Sequence, residues 1–262
     1  MKNERAKDFL YPLIPFVTLL VASEFASKQG WLPPFLVPAP SQVLGDLFSD
    51  SATYRTAFFE TFLGSALGLG LSMAIGLVLA LILSFSSGVK RMFYPYAIFF
   101  QTVPIIAIAP LLVIWLGYGL PTVVASSFIV SVFPVIANSV LGLLSTDPQL
   151  LNLFRLIDAS PTQTLFQLRV PYALPQILGG FKIAAGLAVI GAIVGEFISG
   201  SGLGGLVDTA RNQQRVDRVF ASVLLAALLG ILFFSFISLL NRLLLRHENA
   251  SVVKTRQSIS RS

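Results

Sequence analysis

Four stretches of this chain contain no Asp, Glu, Lys or Arg: 61–89, 92–146, 183–195 and 219–241. Soluble domains average about 25% charged residues; here the figure is 11%, against 55% hydrophobic. A helix needs about 20 apolar residues to cross the hydrocarbon core of a bilayer. The run 92–146 is long enough for two crossings, with a natural turn at Gly117-Tyr118-Gly119-Leu120-Pro121. The run 183–195 extends backward to Pro175 and forward past Glu196, and the segment from Phe9 to Ala26 supplies another. The expected fold is an all-α polytopic membrane protein with six transmembrane helices, near 9–27, 61–86, 92–115, 121–145, 177–200 and 219–243.

Six crossings put both termini on one side. Placing them in the cytoplasm puts Lys2, Arg5, Lys7, Lys90, Arg91, Arg155, Arg169, Lys182, Arg246, Lys254, Arg256 and Arg261 inside, in keeping with the positive-inside rule. Arg211, Arg215 and Arg218 fall outside and run against it, offset in part by Asp208 and Asp217. The basic start before an apolar run, with Val21-Ala22-Ser23 after it, also fits a cleaved signal peptide. Pro12, Pro15 and the lack of a following soluble domain favour a retained first helix.

Every fourth residue of the second span is small: Gly64, Gly68, Ser72, Gly76, Ala80, Ser84. Such a row is one ridge of a helix. In lipid, close backbone approach rather than expulsion of water holds helices together, so this ridge marks a tight contact. The fifth span repeats the pattern with Gly180, Ala184, Ala188 and Ala192, and Glu196 is next on the row. An ionisable group in a span is a functional candidate; the alternative is that Glu196 orders a helix end by hydrogen bonding to a neighbour. Pro104 and Pro110 in the third span remove backbone hydrogen bonds. The resulting bend either lines a pathway or fits a neighbour. Gln101, Asn138 and Glu196 are the polar candidates for lining or gating a translocation path.

Residues 147–175 interrupt this apolar pattern. Thr146 or Asp147 can cap a helix whose first residue is Pro148, and Ser160 can cap a second, short one beginning at Pro161. Pro171 and Pro175, in Val170-Pro171-Tyr172-Ala173-Leu174-Pro175, are expected to close the segment and turn it back into the membrane. A water-exposed loop needs no Leu150, Leu151, Leu153, Phe154, Ile157, Leu165, Phe166 and Leu168. Such residues pack under the bundle, lie on the membrane surface, or dock into a partner's groove.

Several classes find little support. The chain has no cysteine, hence no disulfide and no thiolate metal site. Its one histidine, His247, lies beyond the last span, and no span pairs a nucleophile with a base, so catalytic residues and a metal site are not expected. The net charge of +6 sits mainly at span ends, which is no nucleic-acid footprint. An ion-coupled secondary transporter remains as an alternative, though such proteins show internal repeats and mid-depth charges; an intramembrane enzyme is the other.

Beyond the physics, the chain resembles a known family. Ala159-Ser160, Val170-Pro171, Ala173-Leu174-Pro175, Ile177, Gly180, Lys182, Ala184, Gly186, Glu196-Phe197 and Gly202-Leu203-Gly204 are similar to the integral-membrane permeases of type I ABC importers. The likeness is to the nitrate/sulfonate/taurine branch, which includes permeases for pyrimidine and flavin vitamin precursors. Upstream, Pro38-Ala39-Pro40-Ser41-Gln42-Val43-Leu44, Val103-Pro104, Ala109-Pro110-Leu111, Trp115-Leu116-Gly117-Tyr118-Gly119, Phe133-Pro134-Val135 and Asn138 resemble the same family. In one place the chain departs from it. The family's loop reads E-A-A, three residues, Gly, Ala-Ser; here the first three positions are Asn152-Leu153-Phe154 and the glycine position is Asp158.

The resemblance implies a type I permease fold at 57–243 with a cytoplasmic coupling loop at 147–175, preceded by a cytoplasmic start at 1–8, a first helix at 9–27 and an extracytoplasmic segment at 28–56. A basic cytoplasmic tail follows at 244–262. It implies a multi-pass subunit of the inner membrane that passes a small anionic or heteroaromatic solute. The partners would be a second permease subunit forming a homodimer, an extracytoplasmic solute-binding protein, and ABC ATPase subunits docking at Leu153, Phe154, Arg155, Asp158, Ala159 and Ser160. No P-loop pattern is present, so the permease itself is not expected to be an enzyme. It would bind no cofactor, and ATP and magnesium would be used by the partner ATPase.

Overall fold

The computed structural model describes residues 2–31, 33, 35–85, 88, 92, 95 and 102–259, with side-chain environments reaching from Tyr11 to Leu244. Its regular structure, among the described residues, is helical throughout. The helices are α1 (Lys2–Lys28), α2 (Pro40–Ser49), α3 (Ser51–Phe85), α4 (Ile105–Leu116), α5 (Leu120–Leu144), α6 (Pro148–Leu156), α7 (Pro161–Ser199), α8 (Gly202–Asn212) and α9 (Val216–Ile259). Among the described residues four segments are long and apolar enough to cross a membrane: Ser51–Phe85, Leu120–Leu144, Pro161–Ser199 and Val216–Leu244. The first expected span falls within α1, which is not among these four, and α4 is a shorter apolar helix. The expected third span, 92–115, is described at 92, 95 and from 102 on, where α4 forms its second half; Gln101 lies outside the described residues.

Two boundaries differ from the sequence reading. Helix α3 begins at Ser51, ten residues before the charge-free run, and carries Arg55 and Glu60. At 1.5 Å per residue its 35 residues span roughly 52 Å, against a hydrocarbon core of about 30 Å. Its first turns therefore have room to project into water, where charge costs little. The second difference is in α7. The expected turn at Pro171 and Pro175 is absent, and the helix runs through both prolines to Ser199. Residues Thr164–Arg169 are π-helical, and Val170 N–H donates to Leu165 O. A π-turn shifts the hydrogen-bond register just before Pro171, so a residue without an N–H is accommodated where the ladder is already changing.

Helix α5 sits between α3 and α7 and packs on both more extensively than any other pair of helices does. Gly64, Gly68, Ser72, Gly76, Ala80 and Ser84 are all buried. A Cβ added to Gly64 would lie 2.5 Å from Val123 Cγ1, and one added to Gly76 would lie 2.7 Å from Val135 Cγ1. Ser72 Oγ donates to Phe128 O at 3.1 Å and lies 2.6 Å from Ser131 Oγ. On the other side of α5, Gly180, Ala184, Ala188 and Ala192 are buried. Ser127 Oγ donates to Ala188 O at 2.9 Å, and a Cβ on Gly180 would stand 2.9 Å from Pro134 O. Leu63, Leu67, Leu71 and Ile75 point away from the contact and are exposed, as a lipid-facing row requires. Leu229, Phe233 and Ile237 of α9 close the core over Leu69, Ala185 and Val189.

Candidate functional site

Helix α6 is fixed at both ends by its own residues. Asp147 Oδ1 accepts from Gln149 N at 2.8 Å, and Pro148 opens the helix. At the far end Ala159 N donates to Phe154 O at 3.0 Å and Asp158 N to Arg155 O at 3.1 Å. That pair of bonds is a Schellman motif, whose turning residue adopts a left-handed conformation and is usually glycine. Asp158 occupies the place with φ +51°, a conformation that Asp tolerates better than most residues. Ser160 then starts α7 with a capping box. Gln163 N donates to Ser160 Oγ at 3.2 Å, and Ser160 N to Gln163 Oε1 at 2.8 Å.

Between these caps, α6 buries none of its side chains. Leu153 is 52% exposed, Leu156 81% and Ile157 66%. Phe154 and Ala159 are half-buried, and Arg155 is exposed with Nη1 3.5 Å from Asn152 Oδ1. The next turn behaves differently. Leu165 and Leu168 are buried, the former against Leu83, Val140 and Leu143, while Phe166 stays exposed. Arg169 Nη1 donates to Ser84 O at 3.4 Å, which ties α7 to the end of α3. A cleft of about 250 Å³ separates α6 from this anchored part, lined by Ser84, Leu151, Arg155, Ala159, Thr164 and Arg169.

The path candidates are dispersed. Asn138 is half-buried between α5 and α7 and donates from Nδ2 to Pro134 O at 2.9 Å. Glu196 is at the other end of α7 from the loop, 1% exposed. Its Oε2 accepts from Thr61 Oγ1 and from Gly204 N, each at 2.9 Å. Gln101 lies outside the described residues. Glu60 and Thr61 were missed by sequence reasoning, though a signal existed. The small-residue row of α3, extended back one step from Gly64, lands on Glu60, just as the row of α7 lands on Glu196.

At the same end as Glu196, the arginines that ran against the charge count are paired. Arg215 binds Asp46 at 2.5 Å and Asp217 at 2.9 Å, Arg218 binds Asp50, and Arg211 binds Asp208 at 2.9 Å. Tyr54 donates its hydroxyl to Asp46. A hydrogen bond from Thr53, joined by Arg218, holds Asp50 below its usual 3.8 against some desolvation. Asp217 and Asp46 likewise hold Arg215 more firmly protonated than a free arginine. The Arg215–Asp46 and Arg218–Asp50 pairs join the end of α2 to the start of α9, about 170 residues later in the chain.

The sequence pattern of binding-protein-dependent transport system inner membrane components matches residues 57–247. A probable ABC transporter permease protein of Haemophilus influenzae is 36% identical over 89% of this chain and 96% of its own length. The formylaminopyrimidine transport permease protein ThiX of Halalkalibacterium halodurans is 35% identical over 92% of this chain and 97% of its own. The riboflavin transport system permease protein RibX of Chloroflexus aurantiacus is 31% identical, over 90% and 89%. Among solved structures, the inward-facing methionine ABC transporter MetNI superposes with a TM-score of 0.59 at 18% identity, covering 72% of this chain and 96% of that one. At that identity the likeness is one of fold.

Proposed function

The chain belongs to the binding-protein-dependent transport system inner membrane components, and on that premise we propose how this permease is coupled and what it carries. It is the membrane-spanning subunit of an ATP-driven ABC importer of small solutes. It is not itself an enzyme, because in this family a separate ATPase subunit hydrolyses ATP. Its function is mechanical: movement at the cytoplasmic side must shift the spans between two states that bind the partners differently.

The docking element in our reading is α6 with the turn after it: Leu153, Phe154, Arg155, Asp158, Ala159 and Ser160. The observation that carries this is an apolar helix, capped at both ends, that buries none of its side chains. The ATPase covers this face, and ATP and magnesium belong to that partner. A homodimer of permeases encloses the path, with Gln101, Asn138 and Glu196 as its polar candidates for lining or gating, and an extracytoplasmic binding protein supplies the solute. Six crossings with both termini in the cytoplasm complete the topology. The ion pairs between α2 and α9 support it, since they gather the expected outer segments at one end of the bundle and leave loop 147–175 at the other. The formylaminopyrimidine and riboflavin permeases among the relatives favour a heteroaromatic solute.

Ala159→Arg tests the docking face. An unpaired charge in a desolvated contact costs about 2–5 kcal/mol, so ATPase co-purification and uptake should both be lost at normal membrane abundance. Full retention of both would refute the assignment. Loss of the subunit from the membrane would mean that the loop packs under its own bundle.

A further inference from the structure

Loop docking makes no use of two features of the sequence, the Gly202-Leu203-Gly204 motif and the lone carboxylate of α7. They meet in one joint. The first N–H groups of any helix lack intrahelical partners, and the residue before α8 is Ser201, a type well suited to cap them. Ser201 makes no such bond; its hydroxyl lies 3.1 Å from Ser199 Oγ instead. The caps come from two other helices. Gly202 N donates to Glu60 Oε2 at 2.8 Å, Leu203 N to Thr61 Oγ1 at 3.0 Å, and Gly204 N to Glu196 Oε2 at 2.9 Å. Thr61 is fully buried, and its hydroxyl donates a hydrogen bond to Glu196 Oε2, with Ala57 O as a second acceptor at 3.0 Å. There is no room for a Cβ at either glycine of the motif: one on Gly202 would overlap Glu196 Oε1, and one on Gly204 would stand 2.7 Å from Glu196 Cβ.

We infer that Glu196 is a positioning residue: with Thr61 and Glu60 it fastens the first turn of α8 to the N-terminal half of α3 and the C-terminal end of α7, so that α8 travels with those two spans as one body during transport. This rests on the reading of the chain as a permease with this end outside. The joint stands between two clefts at that end. One, of about 290 Å³, is lined by Glu60, Leu63, Leu120, Val123 and Glu196. The other, of about 440 Å³, is lined by Thr53, Thr56, Glu60, Gly202 and Thr209. Because Glu60 borders both and is bonded to Gly202, a displaced α8 reshapes both mouths at once. A cap supplied by Ser201 would have stabilised α8 equally well without linking it to anything.

Thr61→Val keeps the shape of the side chain and removes the bond that joins all three elements; Thr61→Ser keeps the bond. The chain has no native cysteine, so Thr209→Cys, on the exposed face of α8, gives a single site for a nitroxide label. In the assembled transporter, Thr61→Val should narrow the label's spectrum to that of a mobile helix and lower the maximal uptake rate at least tenfold with KM unchanged. Thr61→Ser should match the parent in both. An unchanged spectrum in Thr61→Val, an unchanged rate, or a Thr61→Ser variant as impaired as Thr61→Val would overturn the joint. If Thr61→Val does not accumulate, Glu196→Gln is read in the same two ways; loss of both from the membrane shows a folding element only, which also overturns it. Were the permease reading itself wrong, the parent would show no ATP-dependent uptake, whereas the label would still report on the joint.

Discussion

Adding one methyl group at Gly76 probes the α3–α5 contact on which the bundle rests. In Gly76→Ala the new carbon would stand 2.7 Å from Val135 Cγ1, 2.9 Å from Val135 Cβ and 3.4 Å from Val132 O. Carbon atoms pack best at about 3.5–4.0 Å, so the helices must part by roughly 1 Å or Val135 must leave its rotamer. Val135 is fully buried within the cluster of Leu69, Ala184 and Ala188, and has no free space to turn into. Overpacking of this kind costs about 1–3 kcal/mol, a shift of roughly 5- to 150-fold in the unfolding equilibrium. Burying the methyl returns little, because lipid is as apolar as the protein interior. Gly70→Ala, on the same helix with nothing within 4 Å of the new carbon, is the control. Reversible unfolding in mixed micelles should show Gly76→Ala destabilised and Gly70→Ala not, with part of the loss recovered by adding Val135→Ala. Equal stability of the two single variants would refute the close-approach argument.

Other outcomes follow from the loop and the ion pairs between α2 and α9. Asp158→Val should weaken the loop by about 1–2 kcal/mol, because a β-branched residue fits the left-handed conformation poorly. ATPase co-purification should fall in that variant and be retained in Asp158→Gly. Asp50→Arg should loosen α2 from α9, and Arg218→Asp in the same chain should restore the link, read by hydrogen exchange of α2. Because Asp50 is held below 3.8, its link is complete above that pH and is lost only as the pH falls through the lower, folded value, so the protection of α2 amides relative to their intrinsic exchange rates should not change between pH 8 and 5. Reporter fusions at Ser49 and Ser160 should report opposite sides of the membrane.

The parts of this structure written in local patterns could be read from the sequence. The row of six small residues from Gly64 to Ser84, spaced every fourth position, declared its packed face, because in lipid only small residues permit that approach and their spacing keeps to one ridge of the helix. The caps at Asp147 and Ser160 were readable for the same reason, each depending on a few consecutive residues. Pro171 and Pro175 misled because a proline reads as a turn unless the π-turn before it is known, and a π-turn has no dependable sequence signature. The start of α3 was missed because charge marks where a helix leaves the hydrocarbon, not where it ends. Thr61 lies 135 residues from Glu196 and Asp50 168 from Arg218, and no periodicity names which distant residue a group will pair with.

The most direct test of the whole account is reconstitution. Proteoliposomes should contain this chain with its ATPase subunit, the binding protein added outside and ATP enclosed within. Uptake of a heteroaromatic vitamin precursor, such as a formylaminopyrimidine or a flavin, should require all four components and cease when ATP is replaced by a non-hydrolysable analogue. Uptake by this chain alone, driven by an ion gradient and indifferent to ATP, would contradict it.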